Sequence, residues 1–394
     1  MAQGGEGVMI STTGRPCAVA AFLAIAIVGS ASGAARAEDG LLTDAVNLSG
    51  AIAFLGSGVP GFVIAAVRDG ETAFAGFGET VKGSGKEPGA DTLLRIGSIS
   101  KAFCGDVLGS LAADGTLALT DPLQDRIGPD FTVPQKDGRT LRLIDLVTQA
   151  SGLPREVPNQ TGGTADDPFA GNTRQRQIDE LKGDPFLFAP GTGALYSNWG
   201  FDLLGAGLAE TAGKPYADLL AERVLGPRGM TDTKPNLAPG DEANAMQGHF
   251  FDGSPMPWVP TPVTIECAGG LYSTANDMLK WMSWHLDRDD AANAEWRTMD
   301  HAVWLWRDGL STVGGLDDGG PMGAMALGWV VVLPEGNAPL MLNKSGGLQG
   351  EFSYVVIAPI RGVGVFVSMN EFNVGGFELM VHTANALVAQ LAPR

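Results

Sequence analysis

Ser98-Ile99-Ser100-Lys101, Tyr196-Ser197-Asn198 and Lys344-Ser345-Gly346 stand in this order along the chain, and each pattern (Ser-x-x-Lys, Tyr-x-Asn, Lys-Ser/Thr-Gly) occurs once. Together they describe an activated serine whose base is lysine and tyrosine rather than histidine. A serine hydroxyl is a weak nucleophile until a neighbouring group removes its proton. Residues three apart share a helix face, so Lys101 falls beside Ser98 if a helix begins there. An ordinary lysine, with a pKa near ~10.4, is protonated at neutral pH. It accepts a proton only where burial or another cation lowers that value, and Lys344 and the phenol of Tyr196 are the candidate neighbours. Singly, each motif has a bland reading: Ser98 as a helix cap, Tyr196 as a core aromatic, Lys344 as a surface lysine at a strand end. Their joint occurrence in order favours the catalytic reading.

The elements that must carry these residues are legible in outline. Ala102, Phe103, Val107, Leu108, Leu111 and Ala112 follow Ser98 at near-helical spacing. They predict a helix with Ser98 on its N-cap side, ending around Asp114-Gly115, whose positive dipole end would favour an alkoxide. Residues 41–56 read as a helix. Residues 61–67 and 72–77 alternate about Asp69-Gly70, which is a hairpin signal. Residues 341–344, 352–357 and 363–368 read as strands, and a helix over 376–391 closes the chain. Strands at both ends and helices between them predict an α/β (α+β) fold. Its antiparallel sheet is built from both termini and flanked by helices, with an inserted helical region. The expected division is a sheet domain of residues 38–115 and 265–394 and a helical domain of residues 116–264, with the active site in the cleft between them. Residues 156–167, rich in Pro, Gly, Asn and Thr, read as a long loop, either free surface or cleft wall. Trp281, Trp284, Trp296, Trp304 and Trp306 are expected to pack core and helices.

The chain resembles the beta-lactamase-related serine hydrolases, a family of class C beta-lactamases, DD-peptidases and esterase relatives. The likeness lies in Asp91-Thr-Leu-Leu-Arg-Ile-Gly-Ser-Ile-Ser-Lys-Ala-Phe103, Gly115-Thr-Leu-Ala-Leu-Thr-Asp-Pro-Leu123 and Leu146-Val-Thr-Gln-Ala-Ser-Gly-Leu-Pro154, with Gln149 where histidine is common. Pro190-Gly-Thr-Gly-Ala-Leu-Tyr-Ser-Asn198 and Ala268-Gly-Gly-Leu-Tyr-Ser-Thr-Ala-Asn-Asp-Met278 extend it, so that it covers roughly residues 45 to 390. Within the family the chain is most similar to AmpH-type carboxypeptidase/endopeptidases. The resemblance implies that Ser98 is acylated and that Lys101 and Tyr196 move its proton. It further implies that Asn198 orients Lys101 and the substrate amide, and that Lys344 and Ser345 hold a substrate carboxylate. The backbone N–H groups of Ser98 and Gly347 would form the oxyanion hole, with Gly347 allowing close approach. Ser345 stands where threonine is usual.

Composition bounds the partners. The net charge of −18 argues against nucleic acid and anionic membrane surfaces, and leaves any carboxylate capture to local Lys344. Arg15, the apolar run 18–28 and Ala35-Arg36-Ala37 read as a signal peptide over residues 1–37, predicting a periplasmic or secreted protein without a stable membrane span after cleavage. Cys104 and Cys267 would remain, and buried free thiols are the expectation for them. His249, His285, His301 and His382 lack metal-ligand spacing, so no metal or other cofactor is expected, and no Gly-x-Ser-x-Gly elbow occurs. The oligomeric state is not legible. The expected activity is a penicillin-binding DD-carboxypeptidase/endopeptidase acting on cell-wall peptides. The alternatives are a class C-like beta-lactamase, a promiscuous esterase or amidase of the same fold, and a non-catalytic cell-wall binder. The last is disfavoured because a binder gains nothing from keeping Ser98 and Lys101 together.

Overall fold

The computed structural model of the protein describes residues 31–164 and 168–392. Asp39–Arg394 form one compact unit, and the preceding unit, Met1–Glu38, is described only from Ala31. The apolar run expected as a secretion signal lies outside the described residues. The expected cleavage site at residues 35–37 falls in helix α1 (Ala31–Ser57). Part of that helix, Gly40–Ser57, is long and apolar enough to cross a membrane by length and composition, yet Leu42, Val46 and Ala53 are buried in the core.

Alternating β-branched and aromatic residues build the centre of the unit. Strands β1 (Gly61–Arg68) and β2 (Glu71–Gly78) form the predicted hairpin, with Asp69 and Gly70 both at positive φ as its two-residue turn requires. β1 then pairs antiparallel with β12 (Val363–Met369) from the other end of the chain, Ile64 opposite Val367. The sheet continues through β11 (Glu351–Ala358), β10 (Met341–Leu348), β9 (Val330–Val332), β8 (Ala324–Met325) and β6 (Leu305–Trp306), in the order β2-β1-β12-β11-β10-β9-β8-β6. The period of two sorts the side chains between two cores. Phe62, Ile64, Ala66, Val356, Val365 and Val367 meet α1 and the closing helix α9 (Val374–Leu391) on one face. Val63, Ala65, Val67, Val355, Ile357 and Phe366 meet α2 (Ser100–Ala113) and α7 (Ala275–Leu286) on the other. Both faces are therefore covered.

The remaining elements frame the cleft. α3 (Leu143–Val147), α4 (Arg174–Leu181), α5 (Asn198–Ala212) and α6 (Tyr216–Leu220) lie in the middle of the chain, and α8 (Ala294–His301) follows α7. β3 (Leu94–Gly97) pairs with β5 (Leu271–Ser273), and β4 (Ala194–Leu195) pairs in parallel with β7 (Val313–Gly314). Ser100 through Leu111 are all buried, so α2 is a central helix rather than a surface one.

α2 begins at Ser100 with Ile99 as its N-cap, so Ser98 stands on the N-cap side and keeps its hydroxyl for other partners. Two expectations need correction. Cys104 and Cys267 are joined by a disulfide, with their Cα atoms 5.4 Å apart across 163 residues of sequence. The proximity arises only because β5 returns the chain beside the start of α2. Of the tryptophans, Trp281 is buried and stacks between Phe103 and Trp329, and Trp284 packs on Trp296. Trp304 and Trp306 are exposed at the short edge strand instead.

The disulfide closes a long loop, so its removal restores much chain entropy to the unfolded state. The double variant Cys104→Ser/Cys267→Ser should lose roughly 2–4 kcal/mol in urea unfolding. An unchanged midpoint under non-reducing conditions would show that the bond does not bear on stability.

Candidate active site

The nucleophile sits at a forced approach of two strands. Gly97 at the end of β3 takes φ 53°, and Ile99 N–H donates to the Ile96 carbonyl, turning the chain sharply before α2. Ser98 lies on this turn, half-buried. β10 passes alongside. A Cβ at Gly346 would lie 2.0 Å from the Ile96 carbonyl oxygen and 3.0 Å from the Ser98 nitrogen, so only glycine fits there. At Gly347, expected from sequence to be the residue of close approach, a Cβ would instead meet the Phe352 ring at 2.8 Å. Gly346 is thus the glycine that lets the third motif reach the first.

Lys101 is the second residue of the buried helix, and its side chain is fully enclosed. Its Nζ donates to Ser98 Oγ at 3.2 Å, to Asn198 Oδ1 at 2.7 Å and to the Ala268 carbonyl. It lies 4.8 Å over the Tyr196 ring and 5.4 Å over that of Phe201. Burial pulls the Lys101 pKa down to about 7, against the opposing pull of Asp202 and Glu156. Ala268 adjoins Cys267, so the disulfide to Cys104 ties the carbonyl that receives Lys101 to the helix that carries it.

The second motif is placed by capping. Ser197 is the N-cap of α5, its hydroxyl accepting from Gly200 N–H at 2.9 Å. This fixes Asn198 as the first helical residue and leaves Tyr196 extended before it. Gln149, where the family often has histidine, accepts the Ser197 N–H at 2.6 Å and so anchors the motif through its amide. The Asn198 amide bridges: its oxygen receives Lys101 and its nitrogen donates to Glu156 Oε1 at 2.5 Å. Tyr196 is buried among three cations, with Lys101, Lys344 and Arg155 at 4.8, 5.0 and 4.7 Å from its ring centroid.

The third motif departs from a surface reading. Lys344 is buried, donates to the Ser345 carbonyl at 2.8 Å, and has its pKa lowered by burial and held back up by Tyr196. The Ser345 hydroxyl donates to Asp318 Oδ2 at 2.7 Å. The structure thus brings Ser98, Lys101, Tyr196, Asn198, Lys344, Ser345, Gly346 and Gly347 to one place, next to a cavity of about 200 Å³. Glu156, Gln160, Pro168 and Phe169 line that cavity together with Ser98, so the loop expected over 156–167 forms cleft wall where it is described.

Sequence reasoning missed Asp202, Glu156, Ala268 and Asp318. Asp202 is buried four residues beyond Asn198, accepts from Asn172 Nδ2 at 2.7 Å, and is pushed up to about 8 by burial. A lone carboxylate in the apolar run of α5 was the signal. Ala268 acts through its carbonyl, which leaves no mark in residue type. Another buried cluster, Asp106, His285 and Asp300, brings metal-ligating atoms within 4.8 Å of one another on the far part of α2. Trp281 Nε1 donates to Asp106 there, and none of the three residues lines the cleft cavity.

Comparison with known proteins places the chain in a family. A family model described as Beta-lactamase matches residues 38–390. The D-alanyl-D-alanine-carboxypeptidase/endopeptidase AmpH of Escherichia coli (strain K12) is 33% identical over 340 residues, covering 86% of each chain. A beta-lactamase of Pseudomonas fluorescens is 26% identical over 342 residues, covering 79% of this chain and 89% of its own. The crystal structure of a beta-lactamase/D-alanine carboxypeptidase from Yersinia pestis, complexed with citrate, superposes with a TM-score of 0.80 at 31% identity. It covers 89% of this chain and 98% of that one.

Lys101 takes a proton only when neutral, and it is neutral above its pKa. The rate of Ser98 acylation by a neutral fluorophosphonate should therefore rise with pH through a limb near neutrality, shared by the coupled Lys101 and Asp202. Lys101→Arg should lower that rate roughly a hundredfold or more, because arginine keeps its proton. Near-normal labelling of Lys101→Arg would assign the base elsewhere.

Proposed function

Because the chain belongs to the beta-lactamase family, we propose that it is a serine acyl hydrolase working through an acyl-enzyme on Ser98, with cell-wall peptides ending in D-Ala-D-Ala as substrates. The observation that carries this reading is the buried amine of Lys101, 3.2 Å from the Ser98 hydroxyl and lowered toward neutrality. Ser98 Oγ adds to the peptide carbonyl as its proton passes to Lys101 Nζ. The N–H groups of Ser98 and Gly347 receive the oxyanion. Collapse breaks the carbon–nitrogen bond, and the proton leaves through Tyr196 to the departing amine. That restores neutral Lys101 and leaves an ester on Ser98. Water then repeats the sequence and releases the acid. Asn198 holds Lys101 in line, and Lys344 and Ser345 receive the carboxylate at the end of the leaving residue.

The AmpH relative, at 33% identity over 86% of both chains, supports the peptidase assignment over the lactamase one, since the beta-lactamase of Pseudomonas fluorescens is 26% identical. The proposal includes export from the cytoplasm. The apolar N-terminal run and the Cys104–Cys267 disulfide support it, since such bonds persist in oxidising compartments.

Two measurements test the reading. A fluorescent penicillin should add mass to the peptide containing Ser98 and fail to label Ser98→Ala; labelling that persists in the variant contradicts the assignment. Lys344→Ala should cost a D-Ala-D-Ala peptide roughly 1.5–3 kcal/mol more in kcat/KM than it costs p-nitrophenyl butyrate. Equal losses would make Lys344 part of the proton path alone. Turnover of the ester with none of the peptide would replace the peptidase reading with an esterase.

A further inference from the structure

The subsite that would receive the leaving group's carboxylate already holds a carboxylate of its own. Asp318 Oδ2 accepts the Ser345 hydroxyl at 2.7 Å, which consumes the one donor of that side chain. Asp318 also acts on Lys344 next door, where its charge offsets part of that of the ammonium. It is not a chance visitor from a loose loop. Asp317 accepts from Met322 N–H at 2.8 Å and from Arg307 at 2.7 Å. Gly319 is pressed so close under Asn343 and Tyr354 that a Cβ would lie 2.4 Å from Asn343 Oδ1, and its carbonyl receives Asn385 Nδ2 at 2.9 Å. Asp317 is thus tied to Arg307 and Met322, Gly319 to the sheet and to α9, and the exposed carboxylate between them is held by Ser345.

We propose that Asp318 is a specificity-determining residue that weakens this site's hold on leaving groups ending in a free carboxylate and so narrows its discrimination against leaving groups ending in a neutral hydrogen-bond donor such as an amide. This rests on the proposed role of Lys344 and Ser345 as the leaving-group subsite. An incoming carboxylate must break the Ser345–Asp318 bond and accept a like charge beside it. A carboxamide meets the same groups without repulsion, because its nitrogen donates to Asp318 while its oxygen faces Lys344. Asn at this position would keep an acceptor for Ser345 and nearly the same shape, so Asp318→Asn removes the charge alone.

The test uses two thioesters of N-acetylglycine, one leaving as thioglycolate and one as thioglycolamide, with D-Ala-D-Ala peptide assayed alongside. In Asp318→Asn the ratio of kcat/KM for the free-acid thioester to that for the amide should rise roughly 10-fold over wild type, and the rise should shrink at high salt. An unchanged or lowered ratio overturns the role of Asp318, whatever the peptide does. A raised ratio with no cleavage of the peptide upholds it and removes the peptidase reading instead. A wild-type enzyme inert toward the peptide and both thioesters overturns both.

Discussion

The enclosure of one amine governs the arrangement. Lys101 Nζ has no water to turn to; it has the Ser98 hydroxyl, the Asn198 amide oxygen and the Ala268 carbonyl. In that setting the charged form has lost its hydration and the neutral form gains, which is the condition that the proposed role of Lys101 as base requires. All three partners are neutral acceptors, enough to orient the amine without fixing its charge. The nearest carboxyls, Asp202 and Glu156, stand behind Asn198 rather than on Nζ, and burial pushes Asp202 toward its neutral form.

The rest of the fold supplies that enclosure from distant parts of the chain. α2 is buried along its length and brings Lys101 up from below. The turn ahead of β5 brings Ala268, and the Cys104–Cys267 bond ties it to α2. α5 brings Asn198, set in place by the Ser197 cap and by Gln149. β10 closes the site from the sheet side, where Gly346 admits the strand to within contact of Ser98. β9 pairs with β10 only as far as Asn343, so Lys344 and Ser345 are held in the ladder from the β11 side, opposite Val355 and Tyr354.

What the sequence disclosed, and what it hid, follows from the range of the interactions. The hairpin at Asp69-Gly70, the three C-terminal strands and the closing helix are set by local alternation and turn chemistry, and they fall where residue patterns predict. The three motifs converge because each carries side-chain chemistry visible in residue type. The position of Ser98 on the N-cap side is legible locally, whereas the sharp turn at Gly97 beside β10 is not. The disulfide, the Ala268 carbonyl and the Asp318 contact with Ser345 all join segments far apart in sequence or act through backbone. Asp202 was visible as a polar residue in an apolar helix, but only the packing shows that it sits behind Asn198.

The charge state of Lys101 is the claim on which the catalytic account stands. It is read directly by nuclear magnetic resonance of protein carrying isotope-labelled lysine, with the Lys101 signal assigned by its loss in Lys101→Arg and followed across pH in the free enzyme. The account predicts a titration midpoint near about 7, well below the other lysines. A midpoint near the ordinary lysine value of ~10.4 would leave Ser98 without a base at neutral pH and contradict it.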